Sequence, residues 1–193
     1  MTIMKKVSIL GLLVVIMAAF TTLNNVWKND APHSQLGFTV KHLGISDVSG
    51  TFNDFDVTVK SVNPDFSDAV FELTAKVASI DTRVDARDQH LKSADFFDAE
   101  KYPLITFKSK TIQKAGDNKF KLTGDLTMHG VTKEITMDLV HTGKVENQMA
   151  KKQVAGFQLT GVLKRSDFGI GTKFPAPMIS DEVRIKADGE FMQ

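Results

Sequence analysis

The sequence predicts an all-β fold, built from eight antiparallel strands that are each apolar on one face, with one short helix. Three observations carry this. From residue 36 to residue 191 apolar side chains alternate with polar ones, the period of a half-buried strand and not the 3.6 of a helix. The alternating runs are separated by short connections rich in Gly, Asn, Asp and Pro, the chemistry of hairpin turns. One stretch, ARDQHLKSADFF (86–97), breaks the alternation and sets Arg87 and Leu91 four apart, as on one helical face, before Pro103 ends any helix. Eight strands with one greasy face cannot leave that face wet, so the sheet closes into a barrel or folds into a sandwich. An eight-stranded barrel is either filled by side chains or holds one small ligand.

The strands follow in order. LGFTVKH turns Leu36, Phe38 and Val40 to one face, and FDVTVK does the same with Phe55, Val57 and Val59. VFELTAKV sets Phe71, Leu73, Ala75 and Val77 against Glu72, Thr74 and Lys76, and LITFKSK adds Ile105 and Phe107. FKLTGDLTM alternates Phe120, Leu122, Leu126 and Met128; VTKEITMDLV alternates Val131, Ile135, Met137 and Leu139. VAGFQLTGVL supplies Phe157 and Leu159, and VRIKADGEF closes with Val183, Ile185, Ala187 and Phe191. NPDFSD (63–68), AGDN (115–118) and the His129-Gly130 pair read as turns, the last as a tight hairpin. KVENQMAKKQ (144–153) reads as a solvated loop, and GIGTKF with the following PAP as a bent loop at a barrel rim. Small residues at inward parity, Gly124, Gly161, Gly189, Ala75, Ala155 and Ala187, either let strands bend or leave room for a chain-like guest.

Ahead of the strands, MTIMKK followed by the apolar run VSILGLLVVIMAAF and the small or polar TTLNN has the layout of a secretory leader. The run is short of the roughly 20 residues that span a bilayer. Residues 1–21 are therefore expected to be removed, leaving one exported domain over 22–193.

Composition excludes several functions. There is no cysteine, hence no disulfide, thiol nucleophile or Cys-ligated metal. The formal net charge is +1, too small for a nucleic-acid or membrane-surface charge patch. Fourteen Phe stand against one Trp and one Tyr, and Phe lacks the polar handle that suits wet interfaces, so the aromatics point to a dry interior. The five histidines, His33, His42, His90, His129 and His141, show no ligand spacing such as HxH or HExxH, and no GxSxG occurs. DFG (167–169) lacks every other kinase element, and GIGTKF lacks the third glycine and the βαβ context of a dinucleotide site.

The segment RVDARDQHLKSADFFDAEKYPLITF (83–107) mixes Arg, His, Lys and Asp with Leu91, Phe96 and Phe97. Its charges either face water on a polar helix edge or meet a ligand head group; Leu91, Phe96 and Phe97 either pack against the barrel or close one end of a cavity.

Four blocks, WKNDAPHSQLGFTVKHLGISDVSGTFNDF, IDTRVDARDQHLKSADFFDAEKYPLITFKS, LTGDLTMHGVTKEITMDL and AGFQLTGVLKRSDFGI, resemble the YceI-like family of exported lipid- or polyisoprenoid-binding proteins, in the family's order from Trp27 to Phe191. The resemblance implies a lipocalin-like eight-stranded antiparallel barrel with a helix near 85–98, a periplasmic location, and an apolar tunnel for an isoprenoid or other long-chain amphiphile without catalysis or cofactor. The expected wall, from strand parity, is Phe38, Phe71, Leu73, Phe107, Leu126, Met137 and Phe157. Arg87 and His90 are candidates for the rim, with Leu91 and Phe97 closing the barrel end. The expected partner is a long-chain lipid or isoprenoid, with transient membrane contact and room for pairing of two chains. Two rivals stand: a lipid-modifying enzyme using His33, His42 or His90 with a carboxylate, and a solid-core interaction domain.

Overall fold

The computed structural model describes residues 26–193; the leader expected over residues 1–21 lies outside the described residues. In chain order the elements are β1 (Val26–His42), β2 (Ser46–Phe52), β3 (Phe55–Lys60), β4 (Val70–Lys76), β5 (Ile80–Asp81), α1 (Asp85–Lys92), β6 (Leu104–Gly116), β7 (Lys119–Met128), β8 (Val131–Asn147), β9 (Lys152–Lys164) and β10 (Ile179–Met192). Strands β1, β3, β4, β6, β7, β8, β9 and β10 are successive antiparallel neighbours, and β10 pairs back onto β1 to close the ring. This is the eight-stranded barrel, not the sandwich. Closure leaves the ring no free edge.

Two strands lie outside the eight read from the sequence. β2 pairs with Leu36–His42 of β1, and the two-residue β5 pairs with the end of β2. SDVSGTF holds only Val48 and Phe52 as large apolar groups, too sparse to show a period of two. β1 also begins earlier than its alternation, because its first turn of pairing, Val26–Lys28 with β3, precedes an irregularity between Asn29 and Ser34. The segment expected as a solvated loop at 144–153 is mostly paired: Lys144–Asn147 face Lys152–Ala155, leaving four residues at the tip. Its side chains are largely exposed on both faces, so pairing there leaves no hydrophobic alternation to read.

The turns behave as their residues demand. His129 and Gly130 both have positive φ, 51° and 74°, which is the primed geometry that matches strand twist. A Cβ on Gly130 would stand 2.5 Å from the Tyr102 ring, so glycine is required there by contact as well as by φ. The small inward residues turn out to make room for large neighbours: a Cβ on Gly161 would stand 2.5 Å from Met137 Sδ.

The two ends of the barrel are closed differently. At one end the β3–β4 turn folds Phe66 inward, 2% exposed. Its ring meets Trp27 at 5.4 Å, His141 at 4.8 Å and Phe157 at 4.9 Å. Asp68 fixes that turn by accepting from Ser61 Oγ (2.5 Å) and from the N–H groups of Val62 and Asn63. At the other end lie α1, the turns after it and the loop between β9 and β10.

Candidate ligand-binding cavity

Between the two ends the barrel holds a cavity of about 450 Å³, within the range of small-molecule sites. All seven side chains expected in the wall, Phe38, Phe71, Leu73, Phe107, Leu126, Met137 and Phe157, border it. They come from six strands, because period-two alternation brings every second residue of each ring strand inside. Phe52 of β2, Phe55 and Val57 of β3, and Ile135 and Leu159 also border it, beyond the seven expected from parity. The lining is overwhelmingly hydrocarbon and aromatic, which suits an apolar guest.

The cover is made of two segments that meet over the barrel. From one side come α1 and the turns to Ala99, which bring Arg87, His90, Leu91, Phe96 and Phe97 to the cavity. From the other side comes the loop 169–178, which brings Ile170, Phe174 and Met178. The rings of Phe96 and Phe174 stack at 5.0 Å with a 12° interplanar angle, and His90 places its ring edgewise on both, at 5.0 and 5.4 Å. Lys173 Nζ lies 2.5 Å from Asp95 Oδ1, and His90 Nε2 lies 3.5 Å from Asp95 Oδ2. The hydrogen bond from Lys173 holds the Asp95 carboxyl below the usual carboxylate range.

Arg87 is engaged within the protein. Its Nε donates to Thr82 Oγ1 and its Nη2 to Thr82 O, both at 2.8 Å. The adjacent Asp88, 7% exposed, accepts from Thr82 N (2.9 Å) and Thr82 Oγ1 (2.5 Å). The pair therefore moors α1 to the chain that leaves β5. A second mooring, which sequence reasoning missed, is Arg165. It is 8% exposed and also borders the cavity. Its Nε donates to Ser180 O, its Nη1 to Ile170 O and Gly171 O, and its Nη2 to Phe174 O and Ile179 O. Because the partners are backbone carbonyls, no paired acidic residue in the sequence could have announced it.

The three histidines considered for catalysis fall in two places. His42 and His90 border the cavity. His33 stands at the β1 irregularity with Asp30 and Glu190, whose ligand atoms all fall within 4.8 Å of one another. These three are the described residues that could hold a cation, at the solvent-facing side of the barrel. His33 Nδ1 lies 2.7 Å from Asp30 Oδ2, and this bond raises the His33 pKa above its ordinary value. Asp95, the carboxylate nearest His90, is shared with Lys173; that pairing serves the cover.

Comparison with known proteins places the chain. The family model described as the YceI-like domain matches residues 27–191. A UPF0312 protein of Staphylococcus aureus is 39% identical over 166 residues, covering 84% of this chain and 94% of the relative. Among solved structures, the YceI protein of Campylobacter jejuni is 36% identical with a TM-score of 0.73, covering 79% of this chain and 89% of that one. BcnA of Burkholderia cenocepacia is 28% identical with a TM-score of 0.75, covering 84% and 98%. A polyisoprenoid-binding domain from Saccharophagus degradans shares the fold, with a TM-score of 0.66 at 13% identity, covering 88% and 98%.

Proposed function

Because the chain belongs to the YceI-like family, we propose that it is a non-catalytic carrier that shields the tail of one long-chain amphiphile, an isoprenoid or fatty-acid derivative, inside the barrel. The observation that carries this is the cavity of about 450 Å³ with its hydrocarbon lining. A solid-core interaction domain would fill that volume with its own side chains. The Saccharophagus degradans domain of the same fold is described as polyisoprenoid-binding; its low identity lends the fold and not the ligand. Apolar burial supplies the driving force, at roughly 0.8 kcal/mol per CH₂. A tail of about a dozen carbons would gain on the order of 10 kcal/mol before ordering costs are subtracted.

Selectivity then comes from cavity length and from the polar groups at its ends. The leader-like layout of residues 1–21 supports export, and work in the periplasm between lipid surfaces is the setting that such a carrier fits. Met137→Lys tests the cavity: a charge placed among hydrocarbon should abolish binding of a fluorescent long-chain fatty acid while circular dichroism stays that of the barrel. Normal binding by the folded variant would overturn the assignment.

A further inference from the structure

A tail that is stable inside the barrel is correspondingly unstable in water, so loading through bulk solvent is slow and a direct path from a membrane is needed. We propose that the tip of the β1–β2 hairpin and the adjoining cover loop form a docking rim that seats the covered end of the barrel on a lipid bilayer surface. This rests on the cavity being the lipid site.

The rim is an unusual concentration of exposed apolar side chains. Ile45 is 82% exposed, Leu43 53% and Met178 46%. Leu43 and Ile45 flank Gly44 at the hairpin tip, and the tip is joined to the cover loop by a hydrogen bond from Leu43 N to Met178 O at 3.1 Å. The patch is continuous with the cavity. Met178 is both exposed at the rim and part of the cavity border, as are His42 and Val48 on either side of the tip. A lipid leaving a bilayer at this point meets hydrocarbon at each step.

Size and charge both favour a bilayer over a protein. Three protruding side chains fall far short of the roughly 800 Å² per partner that a stable protein interface buries, whereas apolar side chains on an otherwise polar surface suit insertion at a lipid interface. The neighbouring charges are already paired: Asp47 lies 3.0 Å from Lys41 Nζ and 2.5 Å from Arg184 Nη2, and Asp95 holds Lys173. Contact should therefore need no anionic lipid and should depend little on salt. No helix among the described residues is long and apolar enough to cross a membrane.

The opposite end supplies a control. β8 runs from Val131 at the covered end to Asn147 at the far end, and Met149 at that tip is 96% exposed. Because the chain has no cysteine, Ile45→Cys and Met149→Cys can each carry a single environment-sensitive nitrobenzoxadiazole label. With phosphatidylcholine vesicles the label at 45 should brighten and shift to the blue, and the label at 149 should not. The Leu43→Ser/Ile45→Ser double variant should bind a fluorescent long-chain fatty acid delivered in ethanol as the unsubstituted protein does. It should draw the same probe from vesicles more slowly, by about tenfold or more. Equal responses at 45 and 149, or unchanged transfer from vesicles, would overturn the rim. A concentration-dependent shift at 45 without vesicles would also overturn it, in favour of a second copy of the chain. Failure of the unsubstituted protein to take the probe by either route would instead strike the cavity assignment, while the label at 45 still reports docking.

Discussion

Two residues show how chemistry that looks catalytic or ligand-directed can serve the frame. Arg165 donates from Nε, Nη1 and Nη2 to backbone carbonyls within residues 170–180, so it binds the cover loop to the barrel. Arg165→Met should leave those carbonyls unpaired and lower stability by about 3 kcal/mol or more, read from urea unfolding. Arg165→Lys should recover only part of the loss, because one ammonium cannot reproduce the planar fork. His141 makes a complementary point at the other end. Its Nε2 is buried without a hydrogen-bond partner, and burial lowers its pKa below the ordinary ~6.5. Between the lowered folded value and ~6.5 the unfolded chain binds a proton that the folded chain does not. The stability from neutral His141 is thus fully present above ~6.5 and is lost as the pH falls through that window. His141→Phe should lose less stability between neutral pH and about pH 5 than the unsubstituted protein does. An identical pH profile for the two would show that the ring is not desolvated.

Elements differ in what they contribute and in how openly the sequence declares them. The ring strands were legible because each has one wet and one dry face, and the seven wall residues followed from parity once the faces were known. β2 was not legible, its two large apolar residues being too few, nor was the cover loop, whose place depends on Arg165 and on the Phe96–Phe174 stack. Arg87, expected at the rim, borders the cavity, and its hydrogen bonds run to Thr82, a partner that spacing alone could not name. The wall and the cover should respond differently to mutation. Leu73 borders the cavity and is only partly buried, so Leu73→Trp should fill empty volume. Thermal stability should hold or rise, while long-chain probe binding falls at least about tenfold. Full binding by the folded variant would mean that the tail runs elsewhere. The Asp95–Lys173 pair is on the surface, with Lys173 72% exposed. Lys173→Ala should change stability by no more than about 1 kcal/mol, yet loosening the join between the two cover segments should speed probe release in stopped-flow measurements. An unaltered release rate would place the exit outside that join.

At the scale of the whole molecule, one sheet solves two problems with the same alternation. Its outward residues carry most of the polar side chains, and its inward residues build an apolar chamber that eight strands can leave partly hollow. The aromatic plug of Trp27, Phe66, His141 and Phe157 closes the chamber at the β3–β4 end, and the paired cover segments close it at the other. An apolar, partly empty barrel is an arrangement for holding a chain-like guest. Native mass spectrometry of the protein purified from the cells that make it, followed by organic extraction, tests it most directly. The expected result is one non-covalently bound long-chain species per chain, released by solvent. A clean apo mass, unchanged after incubation with isoprenoid quinones and fatty acids, would contradict it.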